Sequence, residues 1–291
     1  MLWSERETRA ARRLIEWALE EDLDAAGDVT TSALVTPSEQ GAARVVARGA
    51  GVVAGLPAVP LVYEALGRGV SCTPLADDGG LVRPGAVVCE LAGPLPALLS
   101  GERTMLNLLC HLSGIATQTR RFVEAAAGGR ARIYDTRKTL PGWRCLQKYA
   151  VRAGGGHNHR QGLFDMVLIK DNHLAAFAAR GHGAAAEAVR QARSRAAPGM
   201  LLEVEVDSLE QLRACLPERP DIVLLDNMSC AQLESAVALR DAVAPGVELE
   251  ASGGVTLENI GQIAGTGVER ISVGALTHSA PALDLGLDWK D

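Results

Sequence analysis

The chain has 291 residues, 47% of them apolar and 22% charged, enough to bury a substantial core in one or two domains. Its formal net charge is -6 and aromatics make up only 3%, which argues against a nucleic-acid binder that needs a basic face with rings to stack on. The opening MLWSERETRAARRLIEWALEEDL mixes both signs of charge and lacks the unbroken apolar run of a signal peptide or membrane span, so the expectation is a cytoplasmic protein with no membrane partner.

A helical pattern over 9–23 comes first, followed by β-prone runs broken by glycine, ARVVARGAGVVAG from Ala43 and LVRPGAVVCELAG from Leu81. These predict a small sheet-containing domain. Apolar residues then recur at helical spacing over 98–127, as in Leu106, Leu109, Leu112 and Ile115, a long helix leading into the next domain. Beyond it short apolar strands alternate with alanine-rich helical stretches: MVLIK from Met166, LLEVEV from Leu201, DIVLLD from Asp221, VELEAS from Val247 and RISVG from Arg270. That is the βα rhythm of a parallel sheet, either a barrel or a doubly wound open sheet. In a barrel the strands' carboxyl ends form the active face, which would bring Lys170, Glu203, Glu205, Asp226, Ser252 and Gly274 around one mouth. Six cysteines, Cys72, Cys89, Cys110, Cys145, Cys215 and Cys230, lie scattered without a close pair and read as reduced core thiols.

Positive charge is concentrated in one place. From Arg132 to His173 there are eight Lys/Arg against three Asp, a net +5 that leaves -11 for the rest of a chain totalling -6. Arg137 and Lys138 follow the strand-like RIYD, and His157, Asn158, His159 and Arg160 follow a triple glycine. Arginine grips carboxylates through two parallel hydrogen bonds and lysine acts as a point charge for phosphate, so a small, highly charged anion is the fitting partner; a solvated basic face is the alternative.

Two glycine loops follow the last strands, ASGGVTLENI and SVGALTHS, where backbone amides can approach a phosphate, with Thr256 placed to cap the next helix; purely structural turns have the same look. In EVEV, Glu203 and Glu205 share a strand face, which puts one or both in contact with a cation. With Asp226 they can hold Mg²⁺ through water and substrate oxygens, or instead form a buried ion pair with Lys170 or an arginine.

The segments GDVTT (27–31), ERTMLNLLCHLSGIAT (102–117), DTRKTLPG (135–142), KYAVRAGGGHNHR (148–160), LIKDNH (168–173), EVEVDSLEQL (203–212), LLDNM (224–228), ASGGV (251–255) and SVGALTHS (272–279) together resemble the quinolinate phosphoribosyltransferase family, the decarboxylating enzymes of NAD synthesis. The resemblance implies an α/β fold: an N-terminal α/β sandwich-like domain over 1–116, joined by a C-terminal tail over 276–291, plus an incomplete seven-stranded α/β barrel over 117–275. It implies transfer of phosphoribose from phosphoribosyl pyrophosphate to quinolinate, giving nicotinate mononucleotide, pyrophosphate and CO₂, with Mg²⁺ as cofactor. It implies a homodimer, or a higher oligomer built from it, in which Arg103 reaches into the partner's site. Arg137, His159 and Arg160 would meet the two carboxylates of quinolinate, and Lys138 and Lys170 would face the reacting centre and pyrophosphate. Glu203 and Asp226 would support the metal and ribose, and Ser252, Gly253 and Gly274 would hold the terminal phosphate. Trp143 departs from the family pattern, standing where a smaller apolar residue is expected after the PG turn. Three rivals remain: a related branch of the same fold with another substrate, a Schiff-base aldolase using Lys170, and a non-catalytic anion-binding protein on the same scaffold.

Overall fold

Ser4 starts the first helix, Glu5–Leu23, one turn ahead of the apolar periodicity. Its hydroxyl accepts from the Arg6 amide at 3.2 Å while the Glu7 carboxylate accepts from the Ser4 amide at 3.0 Å, a reciprocal cap that satisfies two otherwise orphaned donors. The computed structural model describes residues 3–67, 69–179 and 185–290. They form two compact units. One comprises the chain up to Arg120, residues 138–156 and everything from Ala275 onward; the other comprises Arg121–Arg137 and His157–Gly274.

In the first unit, strands β1 (Gln40–Ala47), β3 (Ser71–Pro74), β5 (Val87–Pro94) and the last strand of the chain, β12 (Leu285–Trp289), make an antiparallel sheet in the order β12-β1-β5-β3. The two-residue strands β2 (Gly51–Val52) and β4 (Leu81–Val82) pair separately. The long helix Leu95–Ala125 buries Leu98, Met105, Leu109, Leu112 and Ile115, a stripe at three- and four-residue spacing. Gly114 sits in that helix because the chain's tail crosses it: a Cβ there would lie 2.1 Å from the Pro281 carbonyl oxygen. The Leu283 amide then donates to the Cys110 carbonyl at 2.9 Å, steering the tail into β12.

Residues 138–156 correct the expected boundary, which assigned them to the barrel. Their helix, Arg144–Ala153, belongs to the first unit because its contacts are there: Arg152 pairs with the buried Glu7 at 2.8 Å, and the Tyr149 hydroxyl donates to Asp78 at 2.5 Å. Gly154 lies so near the long helix that a Cβ would fall 2.4 Å from the Ala116 carbonyl oxygen. None of the six cysteines is in a disulfide.

The second unit is a parallel sheet of β6 (Arg132–Tyr134), β7 (Val167–Ile169), β8 (Leu202–Val206), β9 (Ile222–Asp226), β10 (Glu248–Ser252) and β11 (Arg270–Ser272). Their order, β6-β11-β10-β9-β8-β7, sets the first strand beside the last, which is the circular order of a barrel and not the switched order of a doubly wound sheet. The barrel is incomplete, since β6 and β7 do not pair with each other. Six strands, one fewer than expected, are present among the described residues. Beyond β6 the next position is reduced to a single bridge between Tyr134 and His157, closed by the His157 amide on the Ile133 carbonyl at 2.7 Å. No described helix is long and apolar enough to cross a membrane.

An alanine normally stabilises a helix interior by about 1 kcal/mol over glycine. Gly114→Ala is predicted to do the reverse, losing about 1–3 kcal/mol in urea unfolding because the new methyl group overlaps the tail.

Candidate active site

Strand alternation and register sort the barrel's inward-facing side chains. Glu203 pairs in register with Leu168 and with Ile222, Glu205 with Leu224, Glu250 with Leu224 and Arg270, and Ser252 with Asp226, so the inner face carries charge on almost every strand. What separates these residues is height along the strand.

At the carboxyl ends, Lys170 follows β7 and its Nζ lies 2.8 Å from Glu205 Oε2 on β8. Asp226 ends β9, and its Oδ2 accepts from the Asn227 side-chain amide at 2.9 Å. Asn227 takes a left-handed backbone, φ 53°, and its amide donates to the Ser252 carbonyl at 2.8 Å, tying the end of β9 to the end of β10. Gly253 has φ 91°, and a Cβ on it would fall 2.1 Å from Asn227 Oδ1, so this turn tolerates only glycine. Asn259, not Thr256, closes the loop: its side chain accepts from the Thr256 amide at 2.8 Å and donates to the Gly254 carbonyl at 2.9 Å, and it stands just ahead of the short helix Ile260–Gly265 without a side-chain cap bond to it.

The loop after the triple glycine is stitched to the end of β6 by Asp135, which is fully buried. Its two carboxylate oxygens accept from the Asn158 side-chain amide at 2.6 Å and from the His159 backbone amide at 2.9 Å. Arg137 and Arg160 are both half-buried. Burial and then the positive charge of Arg137 lower the pKa of Arg160.

One layer down lies a second cluster. Glu203 on β8 and Glu250 on β10 are both 0% exposed, and His159 Nε2 stands 3.0 Å from Glu203 Oε2 and 3.4 Å from Glu250 Oε1. Glu250 Oε2 is held by Arg270 Nε at 2.6 Å, and the Arg270 guanidinium lies 3.7 Å from the centroid of the Tyr134 ring. Burial and the neighbouring Glu250 raise the pKa of Glu203; burial acts the same way on Glu250, but His159 and Arg270 overturn it and leave that carboxyl lowered.

The predicted residues therefore divide. Arg137, Arg160, Lys170, Asp226, Ser252, Gly253 and Gly274 stand at or just past strand ends of the barrel. Glu203 does not reach the mouth: the carboxylate of its strand that does is Glu205, and the expected lysine ion pair is the one Glu205 makes. For Mg²⁺, the hard oxygens of Glu205 and Asp226 fit, whereas Glu203 is committed to the interior beside His159. Arg103 and Lys138 lie in the first unit, both exposed. Past Lys138 the turn is braced within that unit: Gln147 accepts from the Leu140 amide at 3.1 Å and meets His111 at 2.9 Å, and Trp143 packs edge-on against His111, so its ring stiffens the turn. Glu250 and Arg270 were missed, although VELEAS places Glu248 and Glu250 on one face by the same alternation that flagged EVEV. Asp135 and Asn227 lie within the DTRKTLPG and LLDNM segments, where nothing in the sequence alone marks them as bracing residues.

A cationic rim and glycine turns at the strand ends of an incomplete α/β barrel define a class of protein that captures polyanions at the barrel mouth. The chain belongs to the quinolinate phosphoribosyl transferase family: the model of that family's N-terminal domain matches residues 28–113 and that of its C-terminal domain residues 115–288. It is 50% identical over 287 residues to the nicotinate-nucleotide pyrophosphorylase (carboxylating) of Mycobacterium leprae, covering 98% of this chain and 99% of that one. The human protein of the same name is 39% identical over 258 residues, covering 88% and 84%. The structure of the nicotinate-nucleotide pyrophosphorylase from Francisella tularensis superposes with a TM-score of 0.88 at 37% identity, covering 97% of this chain and 96% of that one.

Gly253→Ala is predicted to destabilise the protein by about 1–3 kcal/mol more than Gly254→Ala, because both glycines have positive φ but only Gly253 also meets a neighbouring side chain. Paired urea titrations of the two variants measure the difference.

Proposed function

We propose that this chain transfers phosphoribose from phosphoribosyl pyrophosphate to quinolinate and releases pyrophosphate and CO₂, giving nicotinate mononucleotide for NAD synthesis. The observation that carries this reading is the pair of half-buried guanidinium groups of Arg137 and Arg160, the latter lowered in pKa by burial and by the charge of the former, beside a mouth that also holds Lys170. Cations so placed are stabilised by a dianion bound between them, and a pyridine with adjacent carboxylates matches two planar forks.

Two substrates with five or more negative charges between them must be brought together, so fixed cations have to screen their repulsion. Arg137 and Arg160 orient the diacid and Lys170 faces the reacting centre and the departing pyrophosphate, a role the family resemblance gives to Lys138 as well. The backbone turn at Ser252 and Gly253, with Gly274 on the next strand end, offers amides to the terminal phosphate. Glu205 and Asp226, in place of Glu203 and Asp226, lie where carboxylates stabilise positive charge developing on the ribose as the pyridine nitrogen attacks. Mg²⁺ held by the same two carboxylates would neutralise pyrophosphate charge. Once the nitrogen is quaternised, the carboxylate on the neighbouring carbon leaves as CO₂, its bonding electrons stabilised by the adjacent positive ring until that carbon takes a proton from water. The proposal extends to a cytoplasmic homodimer in which the exposed Arg103 completes the partner's site.

The aldolase alternative fares worse, because imine formation needs a free amine and Lys170 Nζ is paired with Glu205 at 2.8 Å. Purified protein incubated with quinolinate, phosphoribosyl pyrophosphate and Mg²⁺ is expected to yield nicotinate mononucleotide with one CO₂ per product. Ligand binding without product, or CO₂ released without the phosphoribosyl donor, would refute the proposal. Arg137→Ala is expected to lose about 2–5 kcal/mol in kcat/KM for quinolinate, by leaving a substrate carboxylate unpaired. Unchanged kinetics would remove Arg137 from the site.

A further inference from the structure

We propose that the first helix and the turn ahead of the helix Arg144–Ala153 form a binding site for a nucleoside monophosphate, with arginines for the phosphate and the Trp17 ring for the base. The site goes beyond the reaction proposed above. All of its residues belong to the first unit, and none of them stands at a strand end of the barrel.

Spacing assembles it. Arg6, Arg9, Arg13 and Trp17 follow one another at intervals of three or four residues, so on the helix Glu5–Leu23 they fall along one face. That face, with Gly142 and Cys145 opposite, lines a cavity of about 330 Å³. Small-molecule sites begin at about this size, and it gives room for a single mononucleotide. Gly142 keeps the space open: it takes φ 80°, and a Cβ there would already touch the Trp17 ring at 3.6 Å, so a longer side chain would occupy the cavity.

The charge on this face is uncompensated. Elsewhere on the same helix acid and base pair off, Arg12 with Glu64 at 2.8 Å and Glu7 with Arg152 at 2.8 Å. Among the described residues Arg6, Arg9 and Arg13 make no ion pair, and no carboxylate lines the cavity; Glu5, Glu16 and Glu20 of the same helix are not part of its wall. Arg6 hydrogen-bonds the half-buried Cys145 thiol, which burial pushes upward in pKa and so keeps neutral, and a neutral sulfur cannot offset a guanidinium. Three like charges on one helix face repel one another, and Arg6 stands in the first turn, where the helix dipole already disfavours a cation. A bound dianion relieves both.

Phosphate is the matching dianion, because a guanidinium donates two parallel hydrogen bonds to two of its oxygens. Trp17 supplies the second half of the site. Its ring is 61% exposed at the end of the arginine row, a flat apolar surface on which a planar base can stack. Arg13 and Trp17 are four residues apart, about 6 Å of helix rise, which is the span of one ribose. A nucleoside monophosphate carries the planar ring and the dianion at that separation in one small molecule.

Calorimetric titration of the intact chain with adenosine monophosphate, adenosine and inorganic phosphate tests the site. Wild type is expected to bind the monophosphate about ten-fold or more tightly than either of the other two, since only it engages both halves. Arg9→Ala combined with Arg13→Ala should weaken that binding about ten-fold or more, and Trp17→Ala about five-fold or more. Arg137→Ala, in the barrel, should leave it within about two-fold of wild type. The three replaced side chains of the helix are exposed, so those variants should keep the wild-type urea midpoint. Inorganic phosphate binding as tightly as the monophosphate would make the arginines a solvated row with nothing built for a nucleoside, and would overturn the proposal. So would the absence of binding at millimolar monophosphate, or binding lost in Arg137→Ala and kept in the Arg9→Ala, Arg13→Ala variant, which would place the nucleotide in the barrel mouth. Nitrogen-15 NMR of the four indole N–H groups, with Trp17→Phe to identify the Trp17 signal, gives an independent readout. The Trp17 signal should move as the monophosphate is added; movement confined to the other three would overturn the proposal. Neither measurement involves turnover, so both stand apart from the fate of the proposed reaction.

Discussion

Cations gathered at one end of a barrel repel one another and pay a desolvation penalty, and they persist only if opposite charge lies close enough to compensate without neutralising them outright. Here that compensation is arranged by depth. Glu203 and Glu250 sit at full burial beneath the strand ends, matched by His159 and Arg270, while Arg137, Arg160 and Lys170 occupy the level above. Carboxylates placed at the rim in the same number would pair with the rim cations and leave nothing to hold a ligand. Lys170 shows the compromise, since it pairs with Glu205 yet keeps nearly half of its side chain exposed.

The buried layer does not gain stability simply by containing ion pairs, because taking four ionisable groups out of water costs several kcal/mol each before their attraction is counted. Its return is orientation. Each member is held by the next, from the Tyr134 ring to Arg270, Glu250 and His159, so the loop bearing Arg160 is referenced to strand backbone and not to solvent-exposed side chains. Asp135 makes the same kind of attachment from β6, through Asn158 and the His159 amide. Two buried acids thus pin one short cationic loop at both its backbone and its ring.

Much of this was legible in the sequence. The βα rhythm marked five strands, and their polar last residues pointed to one mouth; the local excess of arginine and lysine pointed to an anionic ligand. What strand alternation could not tell was depth. Two glutamates two residues apart share a face, but only the register decides that Glu203 lies inside and Glu205 at the rim. Glu250 carries no strand-end signal of its own, since Ser252 and not Glu250 closes the VELEAS strand. The boundary at 138–156 was hidden for another reason: the helix Arg144–Ala153 follows a barrel strand in sequence, yet its partners, Glu7 and Asp78, are more than 70 residues away along the chain. The first helix began early because a two-residue cap at Ser4 and Glu7 outweighs the apolar periodicity that starts later.

The central claim is that the ligand meets a rim of cations while the acids Glu203 and Glu250 stay beneath as support. A crystal structure with quinolinate bound tests it most directly. The account predicts both ligand carboxylates on the Arg137 and Arg160 guanidinium groups at the strand ends. A diacid seated away from the strand ends, bonded to neither guanidinium group, would contradict it.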